Sequence, residues 1–178
     1  VIAAVASCGG VAPSPRGGAD FLPGQLPAGV VVAPERTDAL AAPEFSLTLL
    51  DGAVVDPADY WRDRPVVLVF FSSWCTLCAR QQGDLNSLLG RYRDAIAIFG
   101  VAGVDTADDV QGYLQDHDVG YAVGLDDAGR VWNAYAVREP PVIAVVGRGG
   151  RLIRGWPGGA DAPTLRAVLD ELVTLPAE

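Results

Sequence analysis

The stretch that most constrains this chain is Val66-Val67-Leu68-Val69-Phe70-Phe71, six apolar residues in a row that follow Pro65 and stop at Ser72-Ser73. A strand with one wet face alternates, so an unbroken run rich in valine and phenylalanine predicts a strand covered on both faces, as in a parallel sheet. Such a strand needs a crossover, and the chain supplies one. Residues 76 to 89 read as a helix, with Leu77, Leu85, Leu88 and Leu89 for its inner side and Arg80, Gln81 and Asp84 for its outer side. The run Ala95-Ile96-Ala97-Ile98-Phe99-Gly100-Val101 then supplies the next strand and closes a βαβ unit of right-handed sense.

Flanking segments extend this unit. Residues 45 to 49 alternate as a half-buried strand and end at the turn pair Asp51-Gly52. Thr106 with Asp109 resembles a capping box, and Val110, Tyr113 and Leu114 give the following helix its stripe. Val142–Val146 and Leu152–Trp156 flank the turn Gly147-Arg148-Gly149-Gly150 as a hairpin. Asp161 and Pro163 open a last helix, whose apolar residues Leu165, Val168, Leu169, Leu172 and Val173 keep helical spacing. The fold class is α/β, with a central mixed β-sheet flanked by helices. At 178 residues there is room for one core and an appendage. A net charge of −9 without any basic cluster speaks against nucleic acid as a partner.

Cys75 and Cys78 stand where the buried strand gives way to the helix. Disulfide exchange needs a thiolate, and Cys75 at the helix N-terminus would have one stabilised by free N–H groups and the macrodipole. Cys78, one turn on and more enclosed, would resolve a mixed disulfide, and Trp74 would form an apolar lip beside the sulfurs. An inert disulfide staple on a redox-inactive binding module is the alternative reading. Structural zinc needs about four Cys or His ligands, and beyond the pair the chain offers only Cys8 and His117. No cofactor and no metal are expected. The Pro-x-x-x-Thr-x-x-Cys pattern of peroxiredoxins is absent. His117, between Asp116 and Asp118, and Glu139 read as solvated surface residues.

The N-terminal part has a different texture. Val5-Ala6-Ser7-Cys8 resembles the lipobox of bacterial lipoproteins, so residues 1–8 read as the remnant of a lipoprotein signal peptide with Cys8 as the lipidation site. Residues 9–43 hold six of the 13 prolines and lack any apolar period. They read as a flexible linker of about 30 to 35 Å reach, unless Val30-Val31-Val32 packs on the domain.

Over about residues 43 to 174 the chain resembles the TlpA/ResA-like family of extracytoplasmic thioredoxin-fold thiol-disulfide oxidoreductases, and residues 44–178 read as one thioredoxin-like domain. The resemblance is carried by Val66 to Cys78 and by Tyr135-Ala136-Val137-Arg138-Glu139-Pro140-Pro141. It implies a thioredoxin-like fold with an extra N-terminal strand, and a cis proline at Pro141 that faces the cysteine pair. Substrate contacts would come from Trp74, Pro140 and Pro141. It implies protein thiols or disulfides as partners, a second redox partner that recycles the pair, and a monomer held at the outer face of the cell membrane by its lipid. Reduction, as in cytochrome c maturation, and oxidation of secreted proteins both fit. Four departures stand out, the first three being Val69 for a buried Asp or Asn, Gln81 for a Glu, and Gly83 for a helix-kinking proline. Pro140 also replaces a Thr or Val, and so offers a bound strand C=O but no N–H.

Overall fold

The computed structural model describes residues 16–176. In chain order the strands and helices are β1 (Val31–Val32), β2 (Leu47–Thr48), β3 (Val54–Val55), β4 (Val66–Phe71), α1 (Thr76–Tyr92), β5 (Ala97–Ala102), α2 (Ala107–Asp116), β6 (Ala122–Leu125), α3 (Arg130–Ala134), β7 (Val142–Gly147), β8 (Arg151–Pro157), α4 (Ala162–Leu172) and β9 (Val173–Thr174). The central sheet has the order β6-β5-β4-β7-β8. Strand β4 runs parallel to β5 and antiparallel to β7, so the sheet is mixed as expected.

All six residues of β4 are buried. Val67, Val69 and Phe71 pack with Leu85, Leu89, Leu114, Leu165 and Leu169 from the three long helices. Val66, Leu68 and Phe70 pack on the other side with Leu47, Trp61 and Trp132. Burying each such side chain contributes about 2 kcal/mol, which makes this strand the axis of the fold. Thr106 caps α2 by accepting the Asp109 N–H at 3.2 Å, and Asp161 caps α4 by accepting the Thr164 N–H at 2.8 Å. Helix α1 continues three residues beyond the expected end, because Tyr92 is buried and donates its hydroxyl to Asp170 of α4 at 2.7 Å. The strand expected over 45–49 shortens to β2, which pairs with β3 around Asp51-Gly52.

The expectation of a flexible linker over 9–43 is corrected from Arg16 onward: this part of the chain is a strap laid along the domain. Gly17 accepts the Val123 N–H at 2.8 Å and sits so close to Leu114 that a side chain there would collide with it and crowd Val123. The buried Arg64 donates to the carbonyls of Gly24 at 2.9 Å and Asp94 at 2.7 Å. Further on, β1 pairs with β9, and Arg151 donates to Glu35 at 2.7 Å. No helix among the described residues is long and apolar enough to cross a membrane. Cys8 and the signal-peptide reading lie outside the described residues.

Candidate active site

The C-terminal end of β4 delivers Ser72-Ser73-Trp74 and then Cys75, which occupies the N-cap of α1. The Cys75 Sγ accepts the Cys78 backbone N–H at 3.0 Å, and the Cys75 N–H donates to the Ser72 carbonyl at 3.0 Å. Cys75 and Cys78 are joined as a disulfide. Both are buried at the rim of the larger apolar cluster, whereas Trp74 is 59% exposed.

A second loop braces this turn residue by residue. The Ser72 hydroxyl donates to the Gly103 carbonyl, the Ser73 hydroxyl donates to the Asp105 carboxylate at 2.7 Å, and the Trp74 indole N–H donates to the Val104 carbonyl at 3.1 Å. The same carboxylate accepts the Ser73 N–H. Val104, at the middle of this loop, has φ 55°. A β-branched residue in the left-handed region is strained by about 1 to 3 kcal/mol, and this one is 77% exposed. Neither Val104 nor Asp105 was identified as a site residue from sequence; the one available signal was the position of Asp105 just before the capping box.

The Pro140–Pro141 peptide bond is cis. Pro141 is buried and its carbonyl accepts the Gly158 N–H at 2.8 Å, while Pro140 is half-buried and Arg138 and Glu139 are exposed. A groove of about 740 Å³ opens here, lined by Phe70, Leu77, Tyr135, Pro140, Val142 and Pro157 among others. Leu77 belongs to the cysteine motif itself, so the groove reaches the motif. Burial pushes the Tyr135 hydroxyl above its ordinary value, and it serves as a donor to the Pro43 carbonyl at 2.8 Å.

Val69 packs in the same apolar cluster as Cys75 and Cys78, so that position supplies no carboxylate. Gln81, expected on the outer side of α1, is half-buried and donates its amide to the Gly158 carbonyl at 3.2 Å, leaving its own Oε1 without a partner. Gln82 is the buried amide of the helix, bonded to Asn86 at 2.8 Å and Tyr121 at 3.0 Å. Helix α1 runs unbroken through Gly83. His117 is half-buried rather than solvated, because its ring lies 4.5 Å from that of Tyr113. Among the described residues, no group of three or more His, Cys, Asp or Glu side chains is placed to hold a metal.

The AhpC/TSA family model matches residues 39–158, more than half of the chain. The chain belongs to the AhpC/TSA family. Among curated relatives of this AhpC/TSA protein, the thiol-disulfide oxidoreductase ResA of Bacillus thuringiensis subsp. konkukian is 24% identical over 132 residues, 74% of this chain and 76% of that protein. The thiol:disulfide interchange protein HelX of Rhodobacter capsulatus is 30% identical over 114 residues, 63% of each chain. Among solved structures, dsbF of MTB superposes with a TM-score of 0.68 at 23% identity, covering 75% of this chain and 98% of that one. The fold is thioredoxin-like, and the expected resemblance to thiol-disulfide oxidoreductases of the ResA kind holds.

Proposed function

We propose that this protein is a thiol-disulfide oxidoreductase that exchanges the Cys75–Cys78 pair with protein thiols or disulfides outside the cytoplasm. The observation that carries this reading is the Cys75 Sγ at the N-cap of a 17-residue helix, accepting the Cys78 N–H. The same N–H and the positive end of the helix stabilise a thiolate once the disulfide is reduced, which lowers the pKa of the attacking thiol.

In the reducing direction the Cys75 thiolate attacks one sulfur of the partner disulfide and expels the other as a thiolate. Cys78, deprotonated, then attacks the Cys75 sulfur of the mixed disulfide and releases the second partner thiol. The partner gains two electrons, the pair loses two and ends as the Cys75–Cys78 disulfide, and oxidation of a dithiol is the same path reversed. With Val69 in the apolar cluster and Gln81 an amide, the proton of Cys78 leaves to solvent or to the partner. Pro140 offers a bound strand its carbonyl alone. Residue Cys8, in the Val5-Ala6-Ser7-Cys8 motif, supports attachment to the outer face of the membrane through lipid.

Trapping tests the reading. Cys78→Ser expressed in cells accumulates a mixed disulfide through Cys75 and so names the partner. If thiol titration of the folded protein after mild reduction finds no reactive Cys75, the pair is an inert staple and the reading is wrong. Cys8→Ser moves the protein from the membrane fraction to the soluble one if the lipid anchor is real.

A further inference from the structure

The central sheet ends in two edge strands, β6 and β8, and the strap reaches both of them. At β6 the Val123 N–H donates to the Gly17 carbonyl at 2.8 Å, and the Val123 carbonyl accepts the Leu50 N–H at 3.1 Å. At β8 the Leu152 N–H donates to the Leu40 carbonyl at 2.8 Å, the Ala42 N–H donates to the Gly150 carbonyl at 2.8 Å, and Ala41 bridges Arg151 in antiparallel sense. These are main-chain positions at which another strand would add. The covered and uncovered parts of the edges differ in sequence. Strand β6 reads Ala122-Val123-Gly124-Leu125, without a charge or a proline. Arg151, the charge at the start of β8, is turned to fastening, since it donates to Glu35 of the strap at 2.7 Å. Past the strap, β8 carries the exposed Arg154 and ends at Pro157, two residue types that keep an open edge from pairing. Cover by the strap therefore falls where the strands have no protection of their own.

We propose that the strap is an edge guard: residues 16–42 occupy strand-pairing positions of β6 and β8, and so keep a second copy of this chain from adding its own edge strand there. The fit at β6 depends on glycine. Gly17 has φ 81°, and a Cβ there would lie 2.8 Å from Leu114, so a larger residue could not bring its carbonyl to Val123. Between the two edges the strap is fastened by charged side chains of the domain. Asp51 accepts the Ala19 N–H at 2.7 Å, Asp94 accepts the Gly24 N–H at 2.8 Å, and Arg64 donates to the Gly24 carbonyl at 2.9 Å. Charge-assisted bonds to main-chain groups are strong and directional, so they fix the register of an extended segment. A second copy is the occupant that fits a freed edge, because each copy presents the same unpaired groups, and the uncharged β6 sets no like charges face to face.

The test uses the full chain with two pairs of substitutions. Gly17→Leu with Ala42→Pro removes the fit at β6 and the N–H that Gly150 accepts. Asp51→Ala with Glu35→Ala is the milder pair, which loosens the fasteners and leaves the covering residues in place. Sedimentation velocity over a range of concentrations reads association, and amide exchange at Val123 and Leu152 reads the state of the edges. At low concentration both variants should exchange these amides about tenfold faster than the wild type, the worth of one main-chain hydrogen bond. They should also self-associate reversibly, at least about tenfold more tightly than the wild type, and the two amides should slow again as the dimer forms. Fast exchange on a chain that stays monomeric overturns the guard. So does association in which the two amides stay fast, because another surface then joins the copies. Unchanged protection in both variants overturns it too, since other parts of the chain then cover the edges.

Discussion

Two loops border the cysteine motif, and they are held in opposite ways. Residues 103–105 are tied to Ser72, Ser73 and Trp74 by side-chain hydrogen bonds, and they turn an apolar side chain outward. Residues 138–141 end in a cis peptide with one backbone bond to Gly158, expose Arg138 and Glu139, and contain a proline without an N–H. The first loop is a braced surface. The second offers a main-chain acceptor and an open groove. A partner gripped by both would be chosen by its side chains more than by its backbone.

The largest effect is expected from removing what makes the first loop fixed. Asp105→Ala leaves the Ser73 N–H and hydroxyl without their acceptor, and urea unfolding should show a loss of about 2 to 3 kcal/mol. A loss within experimental error would make the two loops equivalent and break the comparison. Val104→Gly, by contrast, relieves the left-handed strain and should raise stability by about 1 kcal/mol. Should it unfold at lower urea instead, the valine stabilises the loop and the strain at its backbone is offset there. The second loop is sharpened by Pro140→Thr, which restores one N–H. A trapped partner should then bind about fivefold tighter, the worth of one net hydrogen bond, and unchanged affinity would show that main-chain pairing plays no part there.

The smallest effect concerns a third irregular segment, the strap. Asp51 accepts the Ala19 N–H at 2.7 Å and the Ala53 N–H at 3.0 Å, and these bonds, the Ala19 bond first, hold its carboxyl below the usual range. A carboxyl with a lowered folded pKa contributes above its unfolded value, and the contribution disappears as pH falls through the folded one. Hydrogen exchange at the Ala19 amide should therefore speed up in acid relative to the amides of β4. Equal protection at both would mean that Asp51 does not fasten the strap.

Segments whose evidence is local were legible from sequence. The apolar run of β4, the capped helices α2 and α4 and the glycine turn between β7 and β8 each carry their signal within a dozen residues, and all are present. Cys75 was legible as a helix-terminal sulfur for the same reason, since strand, turn and helix are consecutive. The strap was not legible, because Gly24 is held by Arg64 and Glu35 by Arg151, partners 40 and 116 residues away. Gln82 looks like one more polar helix residue until the Tyr121 hydroxyl, 39 residues on, donates to its Oε1.

The sequence by itself determined the α/β order, the doubly buried central strand and the place of the cysteine pair at the start of a helix, because period, caps and turns are properties of single segments. Only the tertiary structure decided that residues 16–43 lie on the domain, that a carboxylate from the next strand end braces the motif, and that Val104 is turned outward beside it. Those features depend on hydrogen bonds between segments far apart in the chain, and the geometry that makes them exists only once the sheet has brought the segments together.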